Sequence, residues 1–123
     1  MALGLVVLTA AGLLTLAGPA GSAEAAASSC AGRKVRTLAF TGGAVHVHRS
    51  GRRVCAVTVR GKGGKKGRTW MMVSLRARGG AAVRHQGSAR RQTLPVTVHA
   101  GRRPVLIKAA IGSMHYTSRW IRV

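Results

Sequence analysis

AVHVHRSGRRVCAVTVR, residues 44–60, is the stretch that decides the fold. Valine alternates with histidine over 45–48, and an extended chain over 53–60 places Cys55, Val57 and Val59 on one face with Ala56, Thr58 and Arg60 opposite. A period of two places successive side chains on opposite faces of a β-strand. Ser50-Gly51-Arg52 separates the two runs and is typical of a tight turn. The stretch therefore predicts a β-hairpin.

Short runs with strand-like composition continue on both sides of this hairpin. Glycine pairs such as Gly42-Gly43 and Gly79-Gly80 punctuate short β-branched runs, and no segment after residue 27 shows a convincing helical spacing of apolar residues. Residues 61–68, rich in Gly and Lys, predict an exposed basic loop, and Pro95 indicates an edge strand or a strand start. We expect an all-β fold, a small antiparallel sandwich or barrel of about seven to eight short strands. The predicted strands are 34–41, 44–49, 53–60, 70–77, 81–86, 92–100, 104–111 and 115–123.

The first 27 residues have the pattern of a secretory signal peptide. An apolar run spans 3–16, Gly18-Pro19 breaks the helix that it would form, and Ala25-Ala26-Ala27 offers a cleavage site. We expect a signal peptide over 1–27 and a single β domain over 28–123. An uncleaved N-terminal anchor helix is the alternative, and the small residues after the apolar run favour cleavage.

The charge of the chain is almost entirely of one sign. It has 21 Lys and Arg residues against a single acidic residue, Glu24, which gives a formal net charge of +20. Because Glu24 precedes the predicted cleavage site, the mature chain should carry no acidic side chain. A carboxylate general base, an Asp-oriented catalytic His and a Ca²⁺ or Mg²⁺ site all require such groups. Asn is absent as well. We therefore expect a non-enzymatic protein with no catalytic residues and no cofactor.

Two cysteines, Cys30 and Cys55, follow the predicted signal. An even cysteine count in an exported chain indicates a disulfide, and a domain this small benefits from such a crosslink. Two buried free thiols are the alternative. Lipidation of Cys30 is a further possibility that Ala27 disfavours, because a Leu-like residue is expected three positions before a lipidated cysteine.

His46 and His48 form a His-x-His pair on one strand face. Such a pair holds Zn²⁺ or Cu²⁺ if a third ligand joins it, and His85, His99 and His115 are the candidates. Strand alternation alone places both side chains outward, so we favour an ordinary polar face and predict no metal site.

The basic residues in turns are the clearest functional signal. A field this one-sided attracts polyanions and makes their binding sensitive to salt, whereas an ordinary solvated surface mixes both signs. The predicted polyanion-binding residues are Arg52, Arg53, Lys62, Lys65, Lys66, Arg68, Arg90, Arg91, Arg102 and Arg103.

The partners that we expect are anionic cell-envelope polymers or other polyanions, and no small-molecule substrate. Sequence-specific nucleic-acid binding is not expected, because the chain has no helix-turn-helix, zinc-finger or RNP-like pattern. The alternative function is a secreted cationic effector that binds nucleic acid or anionic membrane, as an antimicrobial protein does.

Several short motifs resemble the spore-associated protein A family of small secreted actinobacterial proteins. They are VCAVTV at 54–59, LPVTVHA at 94–100, PVLIK at 104–108 with Gly112-Ser113, and YTSRW at 116–120. Members of that family typically have a second cysteine pair, near Pro104 and at the C-terminus, and both of those cysteines are missing here. Their joint absence supports a bridge between Cys30 and Cys55. The resemblance implies a compact β fold, an extracellular or spore-surface location and no catalytic residues.

Overall fold

The computed structural model describes residues 29–62 and 67–123. Eight β-strands account for most of these residues, which confirms the predicted all-β fold. Residues 1–27, the predicted signal peptide, lie outside the described residues. The strands are β1 (Arg33–Phe40), β2 (Gly43–Ser50), β3 (Arg53–Arg60), β4 (Thr69–Ala77), β5 (Val83–Ala89), β6 (Val96–His99), β7 (Val105–Ile111) and β8 (Met114–Thr117). In the two described stretches no helix is long and apolar enough to cross a membrane.

The strands form two antiparallel four-stranded sheets that pack face to face. The first sheet has the order β1-β2-β3-β6 and the second has the order β5-β4-β7-β8. The hydrophobic core lies between them and takes residues from both sheets, including Val45, Val54, Leu75 and Ile107, which are fully buried. Burying each such side chain contributes about 1.5–3 kcal/mol. The architecture is therefore the sandwich form of the predicted fold.

The β2–β3 hairpin forms as its sequence predicts. His48 pairs with Cys55 and Ser50 with Arg53, so the Ser50-Gly51-Arg52 region is the turn. Val45 and Val47 face the core, while His46 lies on the outward face and is partly exposed. On β3, Cys55 is also almost fully buried although it lies on the outward face.

Cys30 and Cys55 form a disulfide, with 5.6 Å between their Cα atoms. This confirms the predicted bridge. It joins the segment before β1 to the outward face of β3, and this is the side on which Cys55 and Val57 are each 5% exposed. The bridge thus holds the start of the described chain against the first sheet.

Three strands have bounds that differ from the predicted ones by more than one residue. β5 extends to Ala89 because its backbone pairs with β4 as far as Thr69, despite the weak strand propensity of its last residues. β6 contains only the part of 92–100 that follows Pro95, and it is an edge strand, as Pro95 indicated. β8 ends at Thr117, because beyond it the N–H of Ile107 donates to the hydroxyl of Ser118 at 2.9 Å in place of a main-chain carbonyl.

The edge strand β1 is the most exposed strand of the first sheet. Arg33, Lys34 and Arg36 are all exposed, and the register with β2 shifts between Lys34 and Arg36. Charged side chains and bulges are common on edge strands, because they oppose pairing with a second chain.

The segment before β6 completes the hydrogen bonding of β3. β6 pairs with β3 only as far as Ala56, so the backbone N–H of Thr58 lies beyond it. Thr93 supplies the missing partner: its hydroxyl accepts that N–H at 3.1 Å, and its own N–H donates to the Thr58 carbonyl at 3.0 Å. Both threonines are buried. This contact fixes the position of the neighbouring basic residues at 90 and 91.

Candidate anion-binding surfaces

The turns at one end of the sandwich are joined by backbone hydrogen bonds. The N–H groups of Ala100 and Gly101 both donate to the carbonyl of Arg52, each at 2.9 Å. They connect the β2–β3 turn to the β6–β7 turn. The β4–β5 turn joins them through Arg103, whose Nη1 donates to the Arg78 carbonyl at 3.0 Å. We call this the turn end. Its position follows from the antiparallel topology, which brings these three connections to the same edge of the core.

Three arginines surround a shallow cavity at the turn end. The cavity has a volume of about 460 Å³ and is lined by Arg49, Arg52 and Arg102 together with Gly51 and Gly101. Both glycines have positive φ angles, 62° and 59°, which L side chains rarely adopt. The sharp turns that they allow place the flanking arginines on either side of the cavity. Guanidinium groups suit a phosphate, sulfate or carboxylate group, so the three arginines make this cavity a candidate anion site.

The walls of this cavity are held in place by hydrogen bonds. Nε of Arg49 donates to the main-chain oxygen of Val123 at 2.8 Å, and its Nη1 donates to the carbonyl of Gly51 at 2.9 Å. On the opposite side, Nη1 of Arg122 donates to the carbonyl of Arg102 at 3.0 Å. These contacts fix the Arg49 side chain and the backbone at Arg102, so less ordering is needed when an anion binds.

Arg103 differs from its neighbour Arg102 in the use of its guanidinium. Its Nε donates to the carbonyl of Ala100 at 3.2 Å, and its Nη2 donates to that of His99 at 2.6 Å. The bond to Arg78 completes a set of three. Arg103 thus ties the β6–β7 turn to the β4–β5 turn, although its positive charge still contributes to the field of the turn end.

Trp120 adds an aromatic surface to the turn end. The guanidinium carbon of Arg76 lies 5.7 Å from the centroid of its ring, and that of Arg78 lies 5.1 Å away. A tryptophan ring attracts cations through its π face. The ring therefore offsets part of the repulsion between these two arginines.

A second basic cluster lies at the opposite end, where the β3–β4 loop meets the β5–β6 connection. The N–H of Arg60 donates to the carbonyl of Arg91 at 2.8 Å, and its Nη1 donates to the carbonyls of Gly67 and Arg90 at 2.6 and 3.0 Å. Nη2 of Arg68 donates to the carbonyl of Ser88 at 2.8 Å. We call this the loop end. Arginine side chains hold its two connections together, as they do at the turn end.

A shallow cavity of about 550 Å³ also opens at the loop end. Its lining includes His46, Arg60 and Lys62 along with several glycines. At Gly43 an added Cβ would meet the carbonyl oxygen of Val59 at 2.1 Å, so only glycine fits there. The cavity is a gap that small residues leave beside a basic rim.

The ten predicted polyanion-binding residues do not form one surface. Arg52, Arg53, Arg102 and Arg103 lie at the turn end, whereas Lys62, Arg68, Arg90 and Arg91 lie at the loop end. Lys65 and Lys66 lie outside the described residues. The fold adds five basic residues to these ends that the sequence pattern did not indicate, because their strands or tails reach the same edge. They are Arg49, Arg60, Arg76, Arg78 and Arg122.

His46 and His48 lie on the outward face of β2, as the alternation predicts. Nδ1 of His48 is 3.3 Å from the carbonyl oxygen of Gly32. Across 29–62 and 67–123, no group of three His, Cys, Asp or Glu residues could hold a metal ion. Partial burial lowers the pKa of His46 below its ordinary value of 6.5, and the positive charges of Lys34 and His48 lower it further.

The chain has no match among protein-family models, curated protein sequences or solved structures.

Proposed function

We propose that this protein is a small secreted cationic protein that associates with the cell envelope or spore surface by binding anionic polymers. The observation that carries the proposal is the cavity at the turn end. Arg49, Arg52 and Arg102 surround it, and hydrogen bonds fix its walls. After Glu24 the chain has no acidic side chain that could neutralise these arginines. An anionic group from outside is their natural counterion.

Three observations support a location outside the cell. The first 27 residues have the pattern of a signal peptide. The Cys30–Cys55 disulfide is consistent with an oxidising compartment. The motifs at 54–59 and 94–100 resemble those of the spore-associated protein A family, which suggests a spore or cell surface. We propose membership of that family together with this location.

The proposed role is adhesion without catalysis. After Glu24 the chain contains no Asp, Asn or Glu, so neither a Ser-His-Asp nor a Cys-His-Asn arrangement can be assembled. Both cysteines are in the disulfide, which removes a thiolate nucleophile. The chemistry that remains is the recognition of negative charge.

The alternative function is a cationic effector that binds nucleic acid or anionic membrane. Two tryptophans at opposite ends of the sandwich favour nucleic acid over membrane. The side chain of Trp70 is 40% exposed at the loop end, and Trp120 lies beside two arginines at the turn end. Bases of a single strand stack on such rings while arginines hold the phosphates.

Retention on isolated cell wall tests the proposal. If three arginines replace three counterions of a phosphate polymer, the affinity falls about 20- to 40-fold when salt rises from about 50 to about 200 mM. Wall from which the phosphate polymers have been extracted should retain little protein. Retention that does not change with salt concentration, or that persists after this extraction, would contradict the proposal. Stronger binding to single-stranded DNA, or leakage from anionic vesicles without wall retention, would favour the alternative.

A charge-reversed pair of variants tests the cavity itself. Arg52→Glu with Arg102→Glu should weaken wall binding about tenfold or more, since four unit charges change and each exposed pairing contributes about 0.2–1 kcal/mol. Arg84→Glu with Lys108→Glu makes the same change in net charge at exposed positions in the middle of the second sheet. If the two double variants bind equally, net charge rather than the cavity determines binding.

A further inference from the structure

We propose that one molecule of this protein bridges two anionic polymer chains, one at the turn end and one at the loop end. The inference rests on the proposed function, because it assumes that each end binds such a polymer. It adds that the two ends bind separately and at the same time. The protein would then crosslink the polymer matrix as well as adhere to it.

The distance between the ends makes them electrostatically separate. β3 runs from Arg53 at the turn end to Arg60 at the loop end. With a rise of about 3.3 Å per residue, its eight residues separate the ends by about 23 Å. The screening length at physiological salt is about 8 Å. A polymer that neutralises one end therefore leaves the charge of the other end almost unchanged.

Each end is also held rigidly with respect to the strands. The backbone bonds to Arg52 and the three donors of Arg103 fix the turn end. At the loop end, Arg60 binds the carbonyls of Gly67 and Arg90. The closely packed core between the sheets prevents the two ends from folding toward each other. They point in opposite directions, which is the geometry that a crosslinker requires.

The faces between the ends carry fewer charges. Arg84 and Lys108 lie near the middle of the second sheet, each opposite Ser74 on β4. Arg36 lies at mid-strand on β1. None of these three residues lines either cavity. A polymer chain that spanned both ends would cross a face on which basic side chains are sparser than at either end.

A bead assay separates binding from bridging. Inorganic polyphosphate is immobilised on beads, and a second, fluorescent polyphosphate is left in solution with the mature protein. Protein on the beads reports binding, and fluorescence on the beads reports bridging. We expect the wild-type protein to produce both signals, with bridging at concentrations where light scattering shows a monomer. Bridging that appears only together with dimers would overturn the inference.

Charge reversal at one end provides the decisive comparison. Arg52→Glu with Arg102→Glu alters the turn end, and Arg90→Glu with Arg91→Glu alters the loop end. At protein concentrations adjusted to equal bead occupancy, each double variant should lose about tenfold or more of the bridging signal. Arg84→Glu with Lys108→Glu should keep both signals, and melting temperatures confirm that all three variants are folded.

The outcomes distinguish the two proposals. If the wild-type protein does not bind the beads, the proposed function fails and the bridging inference falls with it. If it binds but captures no soluble polymer, only the bridging inference fails. If an end variant bridges as well as the wild-type protein, or if one end variant loses all binding, the two-ended arrangement is wrong.

Discussion

In this protein arginine side chains make hydrogen bonds to the main chain, a role that carboxylate side chains share in most other proteins. Guanidinium groups donate to main-chain carbonyl oxygens at both ends of the sandwich, as Arg49, Arg60, Arg68 and Arg103 show. A carbonyl oxygen is a good acceptor for this planar donor but carries no formal negative charge. The side chain is positioned and its charge remains available. The same residue type therefore builds the turns and generates the positive field.

Arg103 and Arg102 allow these two roles to be tested separately. Arg103→Lys keeps the charge but loses the fork that reaches the carbonyls of Ala100, His99 and Arg78. We expect it to lower the free energy of unfolding by about 1–2 kcal/mol, because these bonds are partly exposed and water replaces them in part. Urea denaturation measures the change.

Arg102→Lys is the matched control for this substitution. Arg102 contributes its main-chain carbonyl to Arg122, which any residue can do, so its replacement should leave stability within about 0.5 kcal/mol. Equal stability of the two lysine variants would show that the bonds of Arg103 add nothing to the fold.

At the level of the strands, Thr93 provides hydrogen bonds to β3 where β6 does not reach. β6 begins only after Pro95, so on that side β3 has no strand beside it beyond Ala56, whereas β2 pairs with its other side throughout. Thr93 supplies a hydroxyl acceptor and a backbone donor to Thr58 in place of a longer strand. The hydroxyl of Thr58 in turn donates to the carbonyl of Met72 in the second sheet at 3.0 Å. This pair of threonines thus joins the two layers at the loop end.

Thr93→Val should be clearly destabilising. Valine has nearly the same shape, but it leaves the buried N–H of Thr58 without its acceptor, at a cost of about 1–3 kcal/mol. Thr93→Ser keeps the hydroxyl and should cost less than the valine change. Thermal unfolding of both variants checks the order, and a valine variant at least as stable as the serine variant would refute the role assigned to this bond.

The strands were predictable where the side chains alternate, and unpredictable where backbone pairing decides. The alternation of Val45 and Val47 with histidines predicted the buried face of β2. The last residues of β5, by contrast, have little strand propensity and are extended because β4 lies beside them. The basic residues were identified by their charge and turn positions. Their division between two ends depends on which connections share an edge, and this is a property of the topology.

Over the whole molecule, the scarcity of acidic groups changes how stability depends on pH. Acid denaturation usually reflects the protonation of carboxylates that are paired in the native state, and the sequence after Glu24 has no acidic side chains to supply such pairs. The pKa of His46 is lowered, first by desolvation and then by the positive charges of Lys34 and His48. Its neutral form is therefore favoured in the folded protein.

The sign of the pH dependence follows from this shift. Below pH 6.5 the unfolded chain binds a proton at His46 more readily than the folded chain does. The contribution of His46 to stability is thus fully present above the unfolded pKa, declines as the pH falls through 6.5 and levels off below the folded pKa. Urea unfolding of wild-type protein and of His46→Gln across this range should show a shallower decline in the variant. An unchanged slope would assign the effect to other groups.

The positive charge on the exposed edge of β1 also protects the protein against pairing with the edge of another copy. Its side chains Arg33, Lys34 and Arg36 repel the same edge of another copy, and the shifted register at Lys34 interrupts the ladder that a new strand would have to match. A polyanion that neutralised this edge would remove the repulsion. The same positive charges thus serve adhesion and oppose amyloid-like strand addition. Strong saturation with polymer should therefore favour self-assembly of the protein.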